Sequence, residues 1–344
     1  MGEAVAPGAT DGAIDIAPEW RAWVTENVLR GVSKNEIVER LTNEGIDLEA
    51  AREIHRRVTS SPELIGAARV TKRARRLELI LRLHREVAAQ ADEPNTIPRL
   101  ADVDPSLFYD HYYAANRPVV LEGYATQWPA MRWTFAEFAQ RFGDVEVQLT
   151  VRRGEDANYN LPANTHGVTV PLREVIERIE TEPRSNDFYM IAHGRNSDIP
   201  ELHRIFDDVI LDDGILDPKK LRGSTALWLG PAGTLTPLHH DTSNILFVQL
   251  VGRKRFRLAS PFEVDLAENA HAMYALDEEG NHRIRGAFGD SVLEKEVILE
   301  PGDALFIPVG WWHHVEALDP SISIAFNNFP PANDFDWYRP GSVT

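Results

Sequence analysis

Cysteine is absent from all 344 residues, which excludes disulfide scaffolds, Cys-ligated zinc, iron–sulfur clusters and thiol nucleophiles. Basic charge is in short supply. The 36 Lys+Arg stand against 53 Asp+Glu, a formal charge of −17, so neither nucleic acid nor an anionic membrane is an expected partner. No apolar run approaches the ~18 residues that a spanning helix needs. The opening stretch MGEAVAPGATDGAIDIAPEW has no basic n-region and no apolar h-region, so it does not read as a secretory signal. Residues 1–17 are expected to form a flexible lead, and the protein to be cytoplasmic. What is present is globular composition, 43% hydrophobic and 26% charged, in a length that suits one large domain or two ordinary ones.

Two parts of the chain differ in period. Residues 18–90 read as a helical module. Trp20, Trp23, Val24 and Val28 make one apolar stripe, and Gly31 stands where a C-cap glycine belongs. Ser33-Lys34-Asn35-Glu36 has the form of a capping box, and Asp47 is placed to cap a third helix carrying Leu48, Ala51, Ile54 and Val58. A fourth, long helix from Pro62 to about Gln90 carries Leu77, Ile80, Leu81, His84 and Val87. It also carries Lys72, Arg73, Arg75, Arg76, Arg82 and Arg85, a set read as a solvated face in preference to an anion-binding one.

After residue 95 short β-type runs take over: 118–122, 145–150, 188–191, 226–229, 245–250, 254–258, 295–299, 304–307 and 322–326. Pro and Gly punctuate nearly every gap, as in a sandwich or barrel of short strands. Helical stretches are expected at Pro105–Asn116, Phe135–Phe142 and Leu172–Glu180. The second part is therefore all-β at heart, and residues 331–344 are a tail.

The densest chemistry is Thr236-Pro-Leu-His-His-Asp241. On a strand, residues i and i+2 share a face, so His239 and Asp241 offer an imidazole and a carboxylate to one point, with His240 turned outward. A third ligand is available in Trp311-Trp-His-His-Val315, although alternation alone does not choose between His313 and His314. Two His and one carboxylate on one side of a metal form the facial triad of non-haem Fe(II) oxygenases. Separately, the strand Lys254-Arg-Phe-Arg-Leu258 puts Lys254 on the buried face with Phe256 and Leu258. A buried Lys is costly unless paired, so it has a carboxylate partner or awaits an anionic ligand.

These segments, with Gln249-Leu-Val-Gly-Arg-Lys-Arg-Phe256 and Pro301-Gly-Asp-Ala-Leu-Phe-Ile-Pro308, resemble the JmjC-type, cupin-like 2-oxoglutarate oxygenases. So do Arg117-Pro-Val-Val-Leu-Glu-Gly123, Trp128-Pro-Ala130, Trp133-Thr-Phe135 and Arg141-Phe-Gly143. The resemblance covers residues 97–330 and leans toward the asparaginyl-type protein hydroxylases. It implies a double-stranded β-helix of jelly-roll type behind the N-terminal helices, with Fe(II) on His239, Asp241 and His313. It further implies that Lys254 binds the distal carboxylate of 2-oxoglutarate, with Thr236 and Tyr189 in the same pocket and Asn327 touching the cosubstrate. Asn244 carries over only weakly, because Ile245 occupies the position where the family often has Asn. Trp311 and Trp312 are candidate walls.

The function implied is hydroxylation of a protein or peptide side chain with Fe(II), 2-oxoglutarate and O2. Two alternatives stay open: methyl-lysine demethylation or small-metabolite hydroxylation, and a non-catalytic or zinc-holding scaffold of the same fold. The N-terminal helices are open to two roles, pairing in a homodimer or packing on the barrel.

Overall fold

Helix signals and strand signals segregate along the chain, and the elements follow them. A computed structural model describes residues 17–155, 159, 166–211, 214–268, 270–271, 274–275 and 292–335. The lead expected over 1–17 and the tail over 331–344 lie largely outside these. The chain divides into two compact units, 1–81 and 82–344.

The first unit holds α1 (Pro18–Arg30), α2 (Lys34–Asn43), α3 (Leu48–Thr59) and most of α4 (Pro62–Ala88). Gly31, at φ 87, ends α1 in the left-handed conformation, with its amide on the Val28 carbonyl. The Ser33 side chain accepts from the Glu36 amide while Glu36 reaches back to the Ser33 amide, an N-terminal lock worth about 1 kcal/mol. Asp47 caps α3. Val24, Ile37, Leu41, Ala51, Ile54, Val58 and Leu64 are buried together and supply this unit's core.

The second unit is built on strands: β1 (Arg99–Leu100), β2 (Val119–Leu121), β3 (Glu146–Val151), β4 (His166–Pro171), β5 (Thr225–Gly230), β6 (Leu235–His239) and β7 (Ile245–Val251). They continue with β8 (Lys254–Ala259), β9 (Ala270–His271), β10 (Tyr274–Ala275), β11 (Glu294–Leu299), β12 (Ala304–Ile307), β13 (Trp312–Ala317) and β14 (Ser321–Phe326). Among the described residues, one six-stranded sheet runs β1-β2-β12-β7-β14-β5, a second runs β11-β8-β13-β6-β10-β9, and β3 pairs with β4. The sheets face each other across a shared core. Phe247, Leu305 and Ile307 from the first meet Phe256, Leu258, Val297, Leu299 and Val315 from the second. Gly252 makes the β7–β8 turn at φ 70, where an added Cβ would lie 2.2 Å from the Pro320 carbonyl oxygen, so no other residue fits.

Two local expectations fail. Phe188–Ile191 is buried, yet it forms only isolated bridges, Thr150↔Tyr189 and Met190↔Leu229; an apolar run of four reports burial, and pairing has to be supplied by a neighbour. The helix expected over Pro105–Asn116 is one α turn, Pro105–Phe108, followed by a π-turn at Tyr109–Tyr113. The wider turn sets Tyr113 against Phe306 and Phe329.

Candidate metal centre

β6 and β13 are antiparallel neighbours, with His239 directly opposite His313 and a bulge between His313 and Val315. Asp241 lies two residues beyond His239, on the same side of the chain, and its carbonyl accepts from the Gly310 amide at 3.1 Å. Pairing therefore fixes the two imidazoles, and a turn bond fixes the carboxylate. Nε2 of His313 is 3.4 Å from Oδ2 of Asp241, Nε2 of His239 is 3.9 Å from it, and the imidazole centroids are 4.1 Å apart.

Each imidazole is oriented by its own backbone. Nδ1 of His239 donates to the Pro237 carbonyl at 2.8 Å, and Nδ1 of His313 donates to the Trp311 carbonyl at 2.9 Å. With Nδ1 carrying the proton, each ring presents an Nε2 lone pair to Asp241. Burial, followed by the neighbouring His313, holds His239 well below the ordinary imidazole range. Burial would raise Asp241, but the adjacent His313 and His239 outweigh it and keep the carboxyl low. His239 is thus neutral at neutral pH beside the Asp241 carboxylate, and the Nε2 atoms of both imidazoles face a common point with that carboxylate. Its ligand atoms lie within 4.8 Å of one another, and this N,N,O donor set on one side suits a divalent metal with its remaining positions open.

The neighbouring histidines are turned elsewhere. His240 is 1% exposed and stands edge-on to Trp312 at 4.8 Å. It is thus directed away from the cluster but into a second packed layer with Leu238, Ala259 and Leu266, and not into solvent. His314 lines a separate polar depression with Arg255 and Arg257.

The triad lies in the wall of a cavity of about 350 Å³, which Tyr189, Thr236 and Asn327 also line. Lys254 adjoins it, 1% exposed, donating from Nζ to the Tyr189 hydroxyl at 2.8 Å. Burial pushes its ammonium down to about 7 and pushes the Tyr189 phenol up. The outward residues of the same strand are paired: Arg255 with Glu316 at 3.1 Å, and Arg257 with Glu294 at 2.6 Å. Asn328, beside Asn327, donates instead to the Asp217 carbonyl. Asn244 is outside the cavity, donating to Asn333 and accepting from the Val309 amide, while Ile245 lines it.

The walls differ from those expected. Trp311 donates to Asn116 from within the core, and Trp312 packs on His240; neither lines the cavity. Its aromatic wall is Trp228, Phe247, Phe256 and Phe326, and its polar lining includes His193, Arg195 and Asp198. The last three follow Tyr189 on short 3₁₀ turns, where no period signals a site. Only their proximity in sequence to Tyr189 could have pointed to them.

The family described as the cupin-like domain matches residues 105–334, and the chain belongs to that family, in its JmjC branch. It is 31% identical over 248 residues to Lysine-specific demethylase 8 of Xenopus tropicalis, covering 68% of this chain and 53% of that protein. It is 31% identical over 228 residues to Lysine-specific demethylase JMJ30 of Arabidopsis thaliana, covering 64% and 51%. To the tRNA wybutosine-synthesizing protein 5 of Mus musculus it is 24% identical over 256 residues, covering 70% and 80%. The match thus spans about half the length of the two demethylases.

Proposed function

We propose that this chain is an Fe(II)- and 2-oxoglutarate-dependent oxygenase that hydroxylates a side chain of a protein or peptide. The observation that carries the reading is the convergence of His239, Asp241 and His313 in the wall of a cavity beside a buried ammonium that lacks a carboxylate partner among the described residues. In this reading the three side chains hold iron through two Nε2 atoms and one carboxylate oxygen, on two neighbouring strands of one sheet, β6 and β13, and the turn after β6. Iron held there would supply, with 2-oxoglutarate and O2 as co-reactants, the oxidising chemistry that converts the cosubstrate to succinate and carbon dioxide and hydroxylates a substrate C–H.

The chain's own residues bind, orient and exclude water. The carbonyls of Pro237 and Trp311 keep both imidazoles in the tautomer that offers Nε2. Lys254, Tyr189 and Thr236 receive the far carboxylate of the cosubstrate in charge-assisted contacts, and Asn327 lies beside it. Phe247, Phe256 and Trp228 keep the surroundings apolar, so these contacts are stronger than they are in water.

At about 350 Å³ the cavity is at the small end of ligand pockets, roughly 300–1,000 Å³. Once a dicarboxylate is seated, the remaining space suits one side chain presented from outside. Demethylation is the second reading, favoured by the names of the two relatives above; hydroxylating an N-methyl carbon is the same step, followed by loss of formaldehyde. The test is incubation of the purified protein with Fe(II), 2-oxoglutarate, O2 and a peptide library, read by mass spectrometry. A peptide that gains one oxygen, with matching succinate, supports hydroxylation; a lost methyl group with formaldehyde supports demethylation. Turnover of a free metabolite and of no peptide contradicts the protein-substrate reading.

A further inference from the structure

Arg153 is the largest charged group that the chemistry above leaves unused. It is 1% exposed. Its Nη2 donates to the Leu235 carbonyl at 2.5 Å, while Nε and Nη1 have no partner among the described residues. It makes no ion pair there. Asp187, the carboxylate whose charge reaches it, is engaged by Arg178 at 3.1 Å. The guanidinium lies over two rings, 4.4 Å from the centroid of Tyr159 and 5.1 Å from that of Tyr189. Arg152, at φ 58, turns the chain just after β3 into a conformation a non-glycine residue seldom adopts.

Burying a guanidinium without a counter-charge costs several kcal/mol, and two idle donors add to that cost. The two ring faces and the Leu235 carbonyl offset part of it, but no carboxylate pairs with the guanidinium among the described residues. The surroundings are specific, though. Leu235 immediately precedes Thr236, and its amide is bound by Asn186 at 2.9 Å. Tyr189, whose ring Arg153 approaches, accepts from Lys254 at its hydroxyl. Two buried cations thus lie within 5.5 Å of the centre of one phenol ring, and neither is paired with a carboxylate among the described residues. Such a cluster is electrostatically incomplete until an anion joins it.

We infer that Arg153 is the second cation of the dicarboxylate pocket, a positioning residue that holds Tyr189 and Thr236 in place and adds permanent charge behind the far-carboxylate end. The inference rests on the 2-oxoglutarate reading above. An arginine suits the role because, although burial lowers it, it holds its proton far more tightly than a lysine, whereas burial leaves Lys254 close to losing its own near neutral pH. Attraction for the anion then persists at pH values where the ammonium is only partly charged.

The test is calorimetric titration of 2-oxoglutarate into the Mn(II)-loaded full chain, comparing wild type with Arg153→Gln and Arg153→Lys. Gln keeps a donor for the Leu235 carbonyl without the charge; Lys keeps the charge with poorer geometry. The expected result is a loss of about tenfold or more in Gln, substantial recovery in Lys, and unchanged Mn(II) affinity in both. Equal affinity of Gln and wild type overturns the inference, as does a Lys variant no better than Gln, which is what a purely structural hydrogen bond gives. If neither variant folds, a crystal structure of the wild type with 2-oxoglutarate decides. A guanidinium within about 6 Å of the far carboxylate, the reach of a charge that matters, supports the inference, and a longer separation overturns it. Wild type that binds no 2-oxoglutarate sinks the parent reading; binding retained in Gln sinks this inference alone.

Discussion

The ammonium of Lys254 donates a 2.8 Å hydrogen bond to the hydroxyl of Tyr189, and no carboxylate among the described residues pairs with it. A phenol satisfies one donor but leaves the charge unanswered. Replacing Lys254 with Met is therefore expected to weaken 2-oxoglutarate by about 1.5–3 kcal/mol, roughly tenfold to a hundredfold, with metal affinity unchanged. Lys254→Arg should recover part of the loss, because a planar fork does not replace a point charge. Unchanged affinity in Lys254→Met, measured by titration under anaerobic conditions, would place the anion elsewhere.

The same burial fixes a pH dependence. Unfolded lysine titrates near ~10.4, and in the fold Lys254 is pushed down to about 7. Between those values the unfolded chain holds the extra proton, so this group's contribution to stability rises with pH. Without cosubstrate, wild type should gain on Lys254→Met by about 2 kcal/mol between roughly pH 7 and pH 9, read from urea unfolding at the two values. A constant difference, or one that shrinks as pH rises, contradicts the unpaired ammonium.

Metal stoichiometry separates the four histidines. His239→Ala and His313→Ala should abolish binding of one Fe(II) per chain. His314→Ala should leave it intact. His240→Ala should retain iron yet lower the melting temperature, because it removes the ring packed on Trp312. Loss of iron in His314→Ala with retention in His313→Ala would reverse the assignment.

Gly252 gives a prediction about the fold alone. With φ at 70 and a carbonyl oxygen 2.2 Å from any added Cβ, Gly252→Ala should destabilise by more than about 1 kcal/mol. Urea denaturation of the metal-free protein measures it, and an unchanged midpoint contradicts the turn as described.

Sequence reasoning read best where one face of a strand is buried. Lys254 is found by alternation because Phe256 and Leu258 define the inner face of β8 and Arg255 and Arg257 are engaged outside. The Ser33–Glu36 lock is local, so four residues suffice to predict it. His240 shows where alternation stops: it gives the side of the strand but not what lies there, and a layer around Trp312 covers that side. Trp311 and Trp312 follow the same logic, being drawn into the core by partners remote in sequence, Asn116 and His240. Arg153 is invisible in sequence because its meaning depends on Leu235 and Tyr189, neither of which shares a period with it.

The central claim is that His239, Asp241 and His313 hold iron in a pocket where 2-oxoglutarate also binds. It is tested most directly by adding 2-oxoglutarate to the anaerobic Fe(II) protein and recording the visible metal-to-ligand charge-transfer band. Wild type should develop the band saturably, Lys254→Met should require a higher concentration, and His313→Ala should show none. A wild-type protein that binds Fe(II) but develops no band at any 2-oxoglutarate concentration contradicts the oxygenase reading and favours a zinc-holding or scaffold role for the same three residues.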